Sequence, residues 1–293
     1  MHRANHTSAR NSRFWSRGSL PSPANNNRPA NKRAANAGKA RTIAVFAGTV
    51  LLLSGTLALA ASAKRGMLWH VVQICTANKQ ITGAAFPCVD ADLSKGVEAG
   101  YVVLHAPLAP PHDLVAVPTI ALPGVESPFV RQAGAPNYFA DAWSARRYVE
   151  ANVVHPLKRE DIGLALNSLP GRAQDQLHIH IDCVFQDVRQ ALQAHSGLFK
   201  TDAWTKLPFE LAGDRYWGLR LNSPDLAGIN VFRLVFDGLH VSEADSPRVT
   251  IALAGASFER TGPGFYLLAA ISPDMRPSHG HSENILDHGC NES

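Results

Sequence analysis

The sequence predicts an α+β domain, an antiparallel sheet with flanking helices, preceded by one N-terminal transmembrane helix. Three observations predict it. Short β-branched runs are separated by turn residues, segments with helical spacing lie between them, and 21 consecutive residues near the N-terminus carry no charge. With 293 residues and 45% hydrophobic content, the chain can bury a sizeable core.

The net charge of +4 averages two unlike parts. Residues 1–41 hold nine Lys or Arg and no acid. Without those nine, the chain has 19 basic against 24 acidic residues, a net of −5. An acidic body with a basic tail excludes nucleic acid as the expected partner. The tail is rich in Asn, Ser, Ala and Pro, which cannot build a core, and is expected to be disordered. Residues 42–63 follow as the expected anchor. Ile43 to Ala63 would span about 30 Å as a helix, the thickness of a bilayer's hydrocarbon core. The basic tail then places the N-terminus in the cytoplasm and the body across the membrane. The rival is a cleaved signal peptide, with Ala61-Ser62-Ala63 as the small-x-small site. The body, 64–293, shows no internal repeat or second linker and is expected as one domain.

Its elements follow in order. WHVVQICTA reads as a short helix and the stretch to Asp92 as loop. GYVVLHAP (100–107) and DLVAVPTI (113–120) read as an antiparallel strand pair, and PGVESP as a turn. NYFADAWSARRYVEAN (137–152) has helical spacing, with Trp143 and Tyr148 available for the core. GLALNS (163–168) and QLHIHIDCVF (176–185) are strands joined through the Pro170-Gly171 turn. DVRQALQAHSG is a helix with Asp187 as candidate N-cap and Gly197 as stop. VFRLVF, RVTIALAG and FYLLAAIS are expected strands. The last segment, PSHGHSENILDHGC, reads as a polar tail held by its cysteine. The four cysteines, Cys75, Cys88, Cys183 and Cys290, are disulfide candidates in an exported body. Three pairings exist. Proximity in sequence suggests Cys75 with Cys88, which leaves Cys183 with Cys290.

The chemistry concentrates on QLHIHIDCVF. Side chains on a strand alternate faces, so Leu177, Ile179, Ile181 and Cys183 point one way. Gln176, His178, His180 and Asp182 point the other, within reach of one ligand. Imidazole is a base, a nucleophile and a metal ligand near neutral pH. Three readings stay open: nucleophilic catalysis, a zinc-dependent hydrolase holding metal through His178, His180 and Asp182, and a non-catalytic nucleotide- or lipid-binding module. Asp182 completes a His-x-His-x-Asp pattern, but Cys183 stands where the metallo-β-lactamase motif needs its next His.

GRAQDQLHIHI resembles the histidine-triad signature, with Gly171 at its glycine, His178 at the central His and His180 at the last. Gln176 stands at the first. GYVVL, VPT, GVESP, PNYFADAWSAR, LALNSLPGRAQ, HIHIDC and the final DHGC, in this order, further resemble the bacterial CDP-diacylglycerol pyrophosphatases. The likeness runs from about Cys75 to Cys290. It implies a histidine-triad-like fold and hydrolysis of CDP-diacylglycerol to CMP and phosphatidate, with His178 as nucleophile and His180 at the phosphate or leaving oxygen. Asn167, Arg172, Gln174 and Gln176 would bind or orient the phosphate. The scheme requires no metal and no cofactor. It implies CDP-diacylglycerol and membrane lipid as partners, a homodimer, and a single-pass protein of the bacterial inner membrane with an extracytoplasmic catalytic domain.

Overall fold

The computed structural model describes residues 64–106 and 113–290. Ten strands form one sheet: β1 (Asp90–Asp92), β2 (Tyr101–His105), β3 (Leu114–Pro118), β4 (Ile162–Leu166), β5 (Ile179–Val184), β6 (Thr205–Lys206), β7 (Trp217–Leu221), β8 (Val249–Phe258), β9 (Gly262–Ile271) and β10 (Leu286–Asp287). Their order is β1-β2-β3-β5-β4-β8-β9-β7-β6, with β10 paired to β5. Each of these pairings is antiparallel.

The expected α+β architecture with a membrane-spanning helix is corrected on two counts. The sheet dominates, and the five α-helices among the described residues are mostly short: α1 (Met67–Thr82), α2 (Tyr138–Ala145), α3 (Arg147–Glu150), α4 (Gln186–Ala194) and α5 (Val231–Gly238). Among the described residues, no helix is long and apolar enough to cross a membrane. That finding also overturns the expected single-pass localisation in the inner membrane. The tail 1–41 and the expected anchor 42–63 lie outside the described residues.

The sheet is larger than the sequence suggests because three of its extra strands, β1, β6 and β10, have only two or three residues each, while the fourth, β7, does alternate Trp217, Leu219 and Leu221. DAD at β1 and the two-residue β6 and β10 are strands only because a neighbour supplies their hydrogen-bond partners. Conversely, VFRLVF, expected as a strand, is the helix α5: Asn230 caps it by accepting from the Arg233 N–H, and Val231, Phe232, Val235 and Phe236 bury one face. The helix expected over 137–152 breaks at Arg146 into α2 and α3. α4 begins at Gln186 with Asp187 in its first turn, so Asp187 is not its cap.

Register divides the sheet into two faces. Ile179, Ile181, Leu164 and Leu253 bury against α2 and α5, in the larger core with Phe139, Trp143 and Phe232. The other face carries two separate covers. α1 packs Leu68 and Val72 over Val102, Leu104, Val115 and Val117. α4 packs Val188 and Leu192 over Ala165, Ala252 and Ala254. Two disulfides complete the frame: Cys75–Cys88 ties α1 to the loop before β1, and Cys183–Cys290 ties the C-terminal segment to β5.

Candidate active site

His180 pairs across the sheet with Val115 on one side and Ala165 on the other. Val115 belongs to the α1 cover and Ala165 to the α4 cover. The polar residues of β5 therefore lie on the strip of sheet between the two covers. Ala165 beside His180, and Gly163 beside Asp182, keep the neighbouring strand low there.

His178, one residue before β5, is 8% exposed. Its Nδ1 lies 2.6 Å from the main-chain oxygen of Gln176. A carbonyl only accepts, so Nδ1 carries the proton and donates it, which leaves Nε2 as a bare lone pair. Burial, followed by the charge of His180, pushes the His178 pKa down to about 4. At neutral pH the ring is uncharged.

His180 is held in the opposite state. The two ring centroids are 5.3 Å apart at an interplanar angle of 65°. Its Nε2 is 3.0 Å from Glu283 Oε2, and its Nδ1 is 3.6 Å from Asp113 Oδ1. These are ion-pair contacts without aligned hydrogen bonds, since neither ring nitrogen has a well-oriented partner. Burial alone would discharge the ring. The two carboxylates outweigh it and raise the pKa to about 9. The Glu283 carboxyl, despite burial, is held far below the usual carboxylate range by His180. Both partners' shifts therefore describe one proton, resident on His180.

A third imidazole stands behind. His288 Nδ1 is 3.1 Å from Asp182 Oδ2 and 3.4 Å from Asp113 Oδ2. Its pKa is raised, chiefly by Asp182, against the opposing effect of burial. Asp113 thus reaches His180 with one oxygen and His288 with the other. The sheet explains the meeting. β3 begins opposite Ile181 and β10 ends opposite Cys183, so Asp113 and His288 both arrive at Asp182, where the two partner strands abut.

Of the residues singled out in the sequence, His178 and His180 come together at this strip. Asn167 is buried one step away, its Oδ1 accepting the Glu283 backbone N–H at 3.2 Å. The other three are committed to the frame. Arg172 is 5% exposed and donates two hydrogen bonds of 2.7 Å to Glu126, with Asp175 beside it. Gln174 accepts from the Leu68 N–H and donates to the Lys64 carbonyl, anchoring the start of α1. Gln176, 1% exposed, accepts from the Leu122 N–H and donates to the carbonyls of Pro118 and Ile120. Cys183 lies on the opposite face, in its disulfide. Potential metal ligands among the described residues converge within 4.8 Å at Asp113, Asp182 and His288. His178 and His180 are not in that set, so the three residues of the expected His178–His180–Asp182 clamp do not converge.

Sequence reasoning missed Asp113 and Glu283, and reached His288 only within the final DHGC. The polar tail expected to be held only by its cysteine folds back instead. It buries Ser282, Ile285 and Leu286 and adds β10 to the sheet. The available signal was the apolar pair Ile285-Leu286 shortly before Cys290: with Cys290 on Cys183, that pair must run beside β5.

A family model described as CDP-diacylglycerol pyrophosphatase matches residues 63–293. Similar proteins bear the same name. One from Yersinia pestis is 32% identical over 242 residues, covering 82% of this chain and 90% of the relative. One from Mycobacterium bovis (BCG Pasteur) and one from Mycobacterium tuberculosis (H37Ra) are each 30% identical over 229 residues, covering 78% of this chain and 84% of the relative.

Proposed function

This chain belongs to the CDP-diacylglycerol pyrophosphatase family, and from that premise we propose that it hydrolyses the pyrophosphate bond of CDP-diacylglycerol to CMP and phosphatidate through His178. The observation that carries the assignment of His178 is its hydrogen bond to the Gln176 carbonyl. That bond fixes the tautomer with Nε2 unprotonated, and a neutral imidazole nitrogen is a competent nucleophile at phosphorus.

In the first step the Nε2 lone pair attacks the phosphorus next to cytidine. The bond from that phosphorus to the bridging oxygen breaks, and its electron pair leaves with phosphatidate. His180, charged and 5.3 Å away ring to ring, offsets the growing negative charge and gives its proton to the departing phosphate oxygen. Water then attacks the cytidylyl-histidine. Its proton goes to the now neutral His180, the N–P bond breaks, and CMP departs with His178 restored. One water is consumed, and both histidines return to their starting states. Asn167 acts on this site through Glu283, whose main chain and carboxylate it holds.

The test uses the full-length protein with CDP-diacylglycerol in detergent micelles and excess EDTA, with CMP and phosphatidate quantified. His178→Ala is expected to lose at least about 10³-fold in turnover with an unchanged circular dichroism spectrum. Full activity in that variant would sink the covalent scheme. Activity lost to EDTA and restored by zinc would replace it with metal-assisted hydrolysis, and binding without turnover would leave a recognition module.

A further inference from the structure

We propose that Glu283 is a positioning residue for this reaction: lying against His180 on a C-terminal strap that is locked to β5, it keeps His180 protonated so that the charge and the proton are in place before substrate arrives. The inference rests on the reading of His178 as nucleophile and His180 as its charged neighbour.

Four contacts fix the strap independently of any ligand. Ser168 donates its backbone N–H to the Gly280 carbonyl at 3.1 Å. Ser282, wholly buried, donates its hydroxyl to the Ile251 carbonyl at 3.1 Å. The Glu283 N–H donates to Asn167 Oδ1, and Cys290 closes the segment onto Cys183. Glu283 is thereby held by its main chain, and its carboxylate bridges two rings, with Oε2 on His180 Nε2 at 3.0 Å and Oε1 on His281 Nδ1 at 3.4 Å.

The groups facing His180 come from every element around it: Asp113 before β3, Glu283 on the strap, His178 just before β5 and Asp182 on it, with His288 after β10. Asp113 divides its oxygens between His180 and His288. Asp182 meets His288. Glu283 approaches His180 more closely than Asp113 does, at 3.0 Å against 3.6 Å, and Asp113 lies nearer to His288. His178, uncharged, adds no anion. A carboxylate so placed explains how a buried imidazole holds a proton that burial alone would expel.

The decisive measurement is a histidine nitrogen NMR titration of His180, with the pH dependence of kcat, in the wild type and in Glu283→Gln. The amide keeps the shape and removes the charge. The His180 titration and the alkaline limb of kcat should both move to lower pH, with kcat at pH 8 falling about tenfold or more and KM much less affected. Glu283→Asp, which restores the charge on a shorter stem, should move both partway back. A His180 titration in Glu283→Gln that overlays the wild type would overturn the proposal, as would a uniform loss of kcat with an unmoved alkaline limb. The titration needs no turnover, so it stands apart from the nucleophile assignment, which fails separately if His178→Ala remains active.

Discussion

Two histidines separated by one residue, at the start of a single strand, hold different charge states because their ring nitrogens meet different atoms. His178 meets a carbonyl and a cationic neighbour, His180 meets two carboxylates. The pair is competent only with His178 neutral and His180 charged. kcat/KM is therefore expected to hold a plateau bounded by apparent values near 4, from His178, and near 9, from His180. A plateau closing at an acid limb above about pH 6 would show that His178 titrates as an ordinary imidazole. Arg172 separates two roles in the same way. Its bidentate bond to Glu126 is buried at Arg172 and partly exposed at Glu126, so Arg172→Ala leaves a part-buried carboxylate without its partner and should cost about 2 kcal/mol of stability. Chemical denaturation would show that loss. A raised KM with unchanged stability would instead make Arg172 a phosphate ligand. The two-residue period of HIHID is enough by itself to put His178, His180 and Asp182 on one face. Asp113 and Glu283 were not legible, because their neighbours in sequence have no period and only the sheet register brings them to β5.

β5 and the C-terminal strap form the element on which the site depends. The strap's path requires Gly280, whose φ of +76° is left-handed and whose place for a side chain is taken by the Ser168 hydroxyl. Gly280→Ala should loosen Glu283 and His288 together, lowering kcat while the larger core stays intact. Cys290→Ser opens a loop closed across 107 residues. By chain entropy it should destabilise the protein by roughly 5 kcal/mol. Thermal denaturation of the two variants beside their turnover checks both. If Cys290→Ser keeps wild-type stability, the hydrogen bonds of the strap suffice without the covalent tie. The strands β4, β8 and β9 were legible as apolar runs bounded by turns. The strap was not, since SENILDHG presents only two consecutive apolar residues and becomes a strand through the open edge that β3 leaves on β5.

For the whole molecule, the same two histidines couple the site to the folding equilibrium. In the unfolded chain both titrate near 6.5. The folded-state pKa of His180 is raised to about 9, so its stabilising effect is full below 6.5 and is lost as pH rises from there through 9. His288, whose pKa is raised as well, adds to that alkaline decline. The folded-state pKa of His178 is lowered to about 4, so its effect is full above 6.5 and is lost as pH falls from there through 4. The carboxyl of Glu283, held down by His180, adds a further loss at the acid end, below the carboxylate's unfolded value of 4.5. Because both histidines share one reference in the unfolded chain, the two slopes meet near pH 6.5. The thermal midpoint should therefore peak there and fall on either side, although neither ring lies at the molecular surface. His178→Ala should flatten the acid slope between 6.5 and about 4.5 while leaving the alkaline slope. His180→Gln should flatten the alkaline slope and, by freeing the Glu283 carboxyl, also relax the decline below 4.5. Calorimetric scans at half-unit steps from pH 4 to 9 would resolve these differences. A midpoint that rises steadily through pH 6.5 in the wild type would mean that the buried pair does not hold different charge states in the folded state.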